Sequence, residues 1–210
     1  MAKKQAQSKL YVSFILDETG SMQSVKGQTI SGFNEYVETL KNDKASKNTL
    51  FTLTQFNNAK VDIVHNCVPI ADVVLLTDKT YQPANNTPLY DAIGRTIRSL
   101  EQTIGKKKAN ALVVIQTDGQ ENSSHEFNRQ GIFSLIDEKK KAGWTFAFLG
   151  ADQDAYAASE LIGISKGNTM NYAGAQTKSA FAMAASQSRC FIRSGGKQTN
   201  NLFDDDKDKQ

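Results

Sequence analysis

The sequence predicts an α/β protein of three layers, in which a doubly wound, mostly parallel β-sheet has helices on both faces. Short apolar runs of strand length alternate with segments whose apolar residues recur at helical spacing, the pattern of a parallel sheet buried on both sides. Two strand-like runs are separated by only residues 57–60, too few for a crossover helix, so we expect one antiparallel strand at an edge of the sheet. With 39% of its 210 residues hydrophobic, the chain can form one sizeable core without disulfides.

Three strands and two helices are predicted in the first half of the chain. Apolar runs predict strands at residues 10–16, 50–56 and 61–67. A helix at residues 24–41 is predicted from apolar residues at helical spacing, which are Ile30, Phe33, Val37 and Leu40. The second helix is predicted to begin at Pro88, because proline is favoured at the first helical position. Its apolar residues recur at helical spacing from Leu89 to Ile104.

The second half continues the alternation. Strands are predicted at residues 111–116 and 144–149, and a short edge strand at 170–172. Helices are predicted around residues 132–136, with Gly143 as the terminating residue, then at 154–161 and 177–193. We therefore expect one domain at residues 10–193, preceded by an N-terminal extension at 1–9 and followed by a flexible tail at 194–210.

Composition argues against several classes of protein. The net charge of +3, from 25 basic and 22 acidic residues, is too small to predict nucleic-acid binding, and we interpret the lysine runs 106–108 and 139–141 as solvated helix ends. No apolar run approaches the ~20 residues that a membrane span needs, and residues 1–9 are not followed by a signal-peptide cleavage site. The cysteines, Cys67 and Cys190, form no metal or redox motif and are expected to be reduced and buried. We expect a cytoplasmic protein that does not bind membranes, and its oligomeric state is left open.

Polar residues cluster where the predicted strands end. Asp17, Thr19 and Ser21 alternate after the first strand, Thr87 precedes the second long helix, and Asp118 follows the fourth strand. Doubly wound sheets place their sites at the carboxyl ends of strands. Carboxylate and hydroxyl oxygens suit Mg²⁺, Mn²⁺ or Ca²⁺ and suit zinc poorly. We therefore predict a divalent-metal site made of these five residues.

Three segments also resemble a known family. Residues 17–22 (DETGSM), 86–89 (NTPL) and 117–122 (TDGQEN) resemble the three conserved segments of a von Willebrand factor type A domain, and the resemblance covers residues 10–164. It implies a metal-ion-dependent adhesion site formed by Asp17, Thr19, Ser21, Thr87 and Asp118. The hydroxyls would bind the ion directly and one or both aspartates through water. A sixth position would stay open for an acidic side chain, Asp or Glu, of a partner protein.

The sequence departs from the family pattern at two positions. Thr19 stands where the family usually has serine, which keeps the hydroxyl but adds a methyl group. Asn86 stands where a glycine is usual, and asparagine adopts unusual backbone angles less freely. Neither change removes a ligand. Among the neighbouring side chains, we expect Glu18 and Glu121 to face solvent and Asn122 to brace its loop.

Three functions compete for this pattern. The first is a binding module, not an enzyme, that uses Mg²⁺ (or Mn²⁺ or Ca²⁺) to capture an acidic side chain of a partner. The second is a structural or assembly subunit with a non-essential metal site, since the chain resembles the small stand-alone type A proteins of bacteria and their phages.

The third is a Mg²⁺-dependent phosphatase, because residues 17–21 also resemble the nucleophile segment of haloacid-dehalogenase-like enzymes. Asp17 would be the nucleophile and Asp118 a metal ligand. However, Thr19 lies where simple phosphatases of that group have a second aspartate, and residues 86–89 have no place in the scheme. We favour the binding module.

Overall fold

The computed structural model describes residues 9–105 and 109–204. A single six-stranded sheet runs through the described residues. Its strands are β1 (Leu10–Asp17), β2 (Thr49–Asn57), β3 (Lys60–Pro69), β4 (Ala111–Thr117), β5 (Thr145–Ala151) and β6 (Thr169–Tyr172). Their order is β3-β2-β1-β4-β5-β6. All neighbours are parallel except β2 and β3, so the predicted fold class, including the antiparallel edge strand, is confirmed.

Within the described residues, five α-helices cover the two faces of the sheet. They are α1 (Lys26–Lys41), α2 (Leu89–Ile104), α3 (Arg129–Lys141), α4 (Ala155–Leu161) and α5 (Thr177–Arg193). The first predicted helix begins differently, because residues Gly20–Val25 form a 3₁₀ turn before α1. Pro88 is the N-cap of α2 and not its first helical residue. None of the helices in the described part of the chain is long and apolar enough to cross a membrane.

Each face of the sheet carries its own apolar core. The alternation of β1 shows why its sequence is continuously apolar: Phe14 and its alternate neighbours pack against α1 and α5, and Ile15 packs with the residues of α2 and α3. Phe14 lies edge-on to Phe33 of α1, with ring centroids 5.5 Å apart, and stacks on Phe181 of α5 at 5.4 Å. The core thus holds the central strand rigidly, and β1 ends at the predicted site.

Two expectations about the surface need correction. Lys139 is buried and forms ion pairs with Glu101 and Glu138, with its ammonium 6.0 Å from the centroid of the Trp144 ring, so it is not a solvated helix end. Lysine run 106–108 lies outside the described residues. Both cysteines are free thiols, as expected, but neither is buried, since Cys67 is partly exposed and Cys190 is exposed on α5.

The predicted flexible tail is partly packed against the sheet. Leu202 is buried in the core next to α5, and its N–H donates to Asn168 Oδ1 at 2.8 Å. The same asparagine donates to the carbonyls of Phe146 and Thr199, both at 2.9 Å. The boundary at residue 193 is therefore too early, because residues 194–204 complete the edge near β6. Residues 205–210 of the predicted tail lie outside the described residues.

Replacing Leu202 by alanine tests this packing. Because the side chain is buried, we expect Leu202→Ala to lower the free energy of unfolding by about 2 kcal/mol or more, measured by urea denaturation. The exposed Lys197 in the same segment gives the control, Lys197→Ala, which should change little. Equal stability of the two variants would show that the segment does not pack as described.

A second long-range contact ties α5 to the turn that follows α1. The buried Asp43 accepts hydrogen bonds from Ala45 N at 3.0 Å and Arg189 Nε at 2.9 Å, and it lies 3.0 Å from Arg193 Nη2. Burial alone would raise the pKa of Asp43, but the hydrogen bond from Ala45 and the two guanidinium groups outweigh it and hold this pKa below its ordinary value.

This contact predicts a pH-dependent stability difference. We expect Asp43→Asn to lower the free energy of unfolding by about 1 kcal/mol at neutral pH, through loss of charge-assisted hydrogen bonds. Because the pKa is lowered in the folded state, the difference should be complete above the ordinary aspartate pKa of about 3.9 and shrink below it. Urea denaturation of both proteins from neutral to acidic pH measures it. A difference that persists unchanged at the lowest pH would contradict the assignment.

Candidate metal centre

The candidate site begins where β1 and β4 end side by side. The two strands are parallel neighbours with Leu16 opposite Gln116, so Asp17 and Thr117 emerge together. The fully buried Asp17 carboxylate accepts a hydrogen bond from Thr19 N at 2.7 Å through Oδ1, and one from Thr117 Oγ1 at 2.6 Å through Oδ2. These two hydrogen bonds fix the orientation of both Asp17 carboxylate oxygens where the two strands end.

The other four predicted ligands lie around this carboxylate. Ser21 Oγ donates to Asp118 Oδ1 at 2.6 Å and lies 3.3 Å from Thr19 Oγ1. Thr87 lies in the loop before α2 and packs closely against Gly119. If Gly119 carried a Cβ, that atom would lie only 3.1 Å from Thr87 Oγ1 and 3.9 Å from Ser21 Oγ. The glycine after Asp118 is thus what allows Thr87 to approach Ser21. The structure brings all five predicted residues together.

The oxygen set fits a hard divalent cation. Adjacent ligands of an octahedral Mg²⁺ with bond lengths of 2.0–2.1 Å lie about 2.9 Å apart, and the Thr19 and Ser21 hydroxyl oxygens, 3.3 Å apart, lie close to that separation. Over residues 9–105 and 109–204, no group of three or more His, Cys, Asp or Glu side chains could hold a metal. The five predicted residues instead combine hydroxyl and carboxylate oxygens, a set of donors that suits Mg²⁺ and its relatives rather than zinc.

Electrostatics of the site also favour a cation. Burial raises the pKa of Asp17 to about 7, against the hydrogen bonds from Thr117 and Thr19, and the negative charge of Asp118 raises it further. Burial likewise raises the pKa of Asp118, and Asp152 adds to that increase. Burial thus disfavours the ionised form of both carboxyl groups, and a cation placed between them would stabilise that form.

The loops that carry Thr87 and Asp118 are braced against each other. Asn122 Oδ1 accepts from Thr87 N at 2.8 Å, and Asn122 N donates to the Thr87 carbonyl at 3.1 Å, so the expected bracing role of Asn122 is confirmed. Glu121, expected in solvent, instead accepts from Tyr90 N at 2.8 Å and from Ser124 N at 2.7 Å.

Glu18, also expected to face solvent, is buried beneath the first loop. Its Oε1 accepts from Gln82 N at 2.5 Å and its Oε2 lies 3.0 Å from Lys60 Nζ. The expectation was wrong because the long loop after β3 folds back over β1, a contact between residues about sixty positions apart in sequence. Glu18 therefore fastens that loop and does not shape the field of the open surface.

Two supporting residues were missed by the sequence analysis. Tyr81 is buried, and its hydroxyl donates to the carbonyl of Asp17 at 2.6 Å. Asp91, on the first turn of α2, accepts hydrogen bonds from the N–H groups of His125, Glu126 and Phe127, all at 2.9 Å. Neither residue belongs to a recognisable motif, although an aspartate among the apolar residues of an amphipathic helix is a signal that could have been followed.

Asn86, which stands where the family usually has glycine, causes no backbone strain. The residue with a left-handed conformation is Asn85, with φ of 67°, and asparagine tolerates that region better than most residues. Its carbonyl accepts from Gly20 N at 2.9 Å. Asn86 has no positive φ, so a glycine is not required at that position.

Comparison with known proteins finds likeness at the level of fold. No protein-family model matches the sequence, and no curated protein matches it. Among solved structures, proximal thread matrix protein 1 from the mussel byssus superimposes with a TM-score of 0.63 at 14% identity, over 85% of this chain and 48% of that one. The VWA domain of SpRpn10 gives 0.54 at 12% identity, over 84% of this chain and 95% of the domain.

The pilus adhesin SpaC from Lactobacillus rhamnosus GG gives a TM-score of 0.59 at 14% identity, over 90% of this chain and 31% of the adhesin. The chain thus spans about half of the mussel protein and a third of the adhesin, but nearly all of the SpRpn10 domain. With its strand order and flanking helices, this chain has a von Willebrand factor A-type fold.

The hydrogen bonds of Asp91 to the loop after Asp118 can be tested by mutation. We expect Asp91→Asn to lower the free energy of unfolding by about 1–3 kcal/mol, because one amide oxygen cannot replace a carboxylate that accepts three backbone hydrogen bonds. Thermal or urea unfolding measures this. The exposed Asp72 offers a matched control, Asp72→Asn, with little expected change, and a fully stable Asp91→Asn protein would show that the loop is held by other contacts.

Proposed function

We propose that this chain is a protein-binding module that depends on a divalent cation and captures an acidic side chain of a partner protein. The observation that carries the proposal is the convergence of three hydroxyls and two carboxylates from separate loops at one end of the sheet. Ser21 is exposed and Asp118 partly exposed, so a partner can reach this cluster from solvent. A carboxylate is the protein group that best completes the shell of such a cation.

The five residues would divide the work of holding the ion. Thr19, Ser21 and Thr87 would offer their hydroxyl oxygens directly. Asp17, with both oxygens already accepting hydrogen bonds, would act through water and keep the first loop in position. Asp118 would orient the Ser21 hydroxyl, to which it is already hydrogen-bonded, and neutralise charge. The bound Mg²⁺, Mn²⁺ or Ca²⁺ would supply a positive centre that the partner's carboxylate neutralises.

The position of Asp17 weighs against the phosphatase alternative. A nucleophilic aspartate must present a free carboxylate oxygen to the phosphorus atom. Here the side chain is fully buried, and each oxygen accepts a hydrogen bond of 2.7 Å or less. We therefore propose a binding role rather than an enzymatic one, in keeping with a fold that a pilus adhesin also contains.

Calorimetric titration of the metal-free protein with Mg²⁺ and Mn²⁺ tests the site. We expect saturable binding that falls about tenfold or more in Ser21→Ala and Asp118→Ala, with unfolding curves close to wild type because both residues are at the surface. Ser24→Ala is the matched control. It removes an exposed hydroxyl on the same turn, one that donates to the Ser21 carbonyl at 3.2 Å and is not a predicted ligand.

Two results would contradict the proposal. Wild-type protein that binds neither metal would favour the assembly subunit, for which the fold matters and the ion does not. Metal-dependent hydrolysis of p-nitrophenyl phosphate that disappears in Asp17→Asn would establish the phosphatase instead.

A further inference from the structure

A small pocket lined by apolar and polar residues opens directly beside the candidate metal centre. It has a volume of about 210 Å³ and lies between the start of α2, the loop after β4, and α4. Leu89 and Ile162, both mostly buried, line its inner part, and the exposed Ala157 and Leu161 line its mouth. Leu161 is one of the few large apolar side chains that are strongly exposed in the described residues, at 50%.

The pocket and the metal centre share a wall. Gly119 lines the pocket, directly follows the candidate ligand Asp118, and lies close to the hydroxyls of Thr87 and Ser21. Consecutive α-carbons are 3.8 Å apart, so the two sites are separated by about one residue of backbone. A partner segment whose carboxylate reaches the cation would therefore place a neighbouring side chain over the pocket.

Charge and size define what the pocket accepts. Both Glu121 oxygens are engaged by N–H and hydroxyl donors, and Asp154 caps α4 by accepting from Ala157 N at 3.0 Å. These two carboxylates on the pocket wall repel a second acidic side chain. A cavity of about 150 Å³ lined by apolar residues holds a benzene molecule, so a pocket of about 210 Å³ accommodates a leucine or phenylalanine side chain.

We propose that the partner presents an acidic residue together with a nearby leucine- or phenylalanine-like side chain, the first held at the metal centre and the second inserted into this pocket. The inference rests on the proposed function and extends it to the specificity of the same site. The cation supplies attraction for any exposed carboxylate, and the pocket selects among acidic segments by the apolar residue that accompanies the acid.

The test uses a library of short random peptides displayed on phage and selected on the full chain with and without Mg²⁺. We expect Mg²⁺-dependent peptides that share an Asp or Glu and, at a constant offset, an apolar side chain. In synthetic form, replacing the apolar residue by alanine should weaken binding about tenfold or more, as expected for a buried apolar side chain. Ala157→Phe, which fills the pocket mouth, should abolish that difference. Glu160→Phe adds the same bulk on α4 at an exposed position outside the pocket and should keep it.

The remaining outcomes separate the two proposals. Mg²⁺-dependent peptides with an acid but no apolar preference, or an apolar preference that survives in Ala157→Phe, would overturn the pocket inference and leave the metal-dependent function standing. Selection that yields no Mg²⁺-dependent peptide would overturn both.

Discussion

The Asp17 carboxylate is the contact on which the candidate site depends. Burying a carboxylate is costly unless hydrogen bonds compensate it, and here the donors come from Thr117 at the end of β4 and from the turn that begins at Thr19. The same two bonds therefore fix the spacing of two strand ends and the course of the loop that carries Ser21. Burial raises the pKa of this carboxyl group to about 7 against those hydrogen bonds, and the charge of Asp118 raises it further, so a nearby cation would stabilise its ionised form.

The loops around that carboxylate are kept rigid by residues that form hydrogen bonds to the loop backbone and are not themselves candidate ligands. Tyr81 donates to the carbonyl of Asp17, and Asp91 accepts from three consecutive N–H groups of the loop after Asp118. The Asn122 side chain accepts from Thr87 N, and the backbone N–H of Asn122 donates to the Thr87 carbonyl. Loops of this length would otherwise sample many conformations, at a cost in entropy whenever a ligand ordered them. A site ordered before binding spends less of its interaction energy on that ordering.

In the proposed function, two neighbouring features at the same edge of the sheet attract the partner and select among partners. The oxygen cluster around Ser21 and Asp118 is polar and open, whereas Leu89 and Ile162 give the inner part of the neighbouring pocket an apolar surface. Charged contacts mainly speed and orient association, and burial of a well-fitting apolar side chain distinguishes one partner from another. Gly119, which has no side chain, is the residue that lets these two surfaces meet.

Local pattern in the sequence determined the strands, most helices, the antiparallel edge and the five candidate ligands, since each depends on nearest neighbours or on the rule that parallel strands end at one edge. Tertiary structure alone decided the burial of Glu18 and Lys139, the bracing by Tyr81 and Asp91, and the packing of Leu202. In each of these cases the partner lies about thirty or more residues away. Hydropathy and spacing can mark such a residue as unusual, as they do for Asp91, but they do not identify its partner, because only the fold brings the two together.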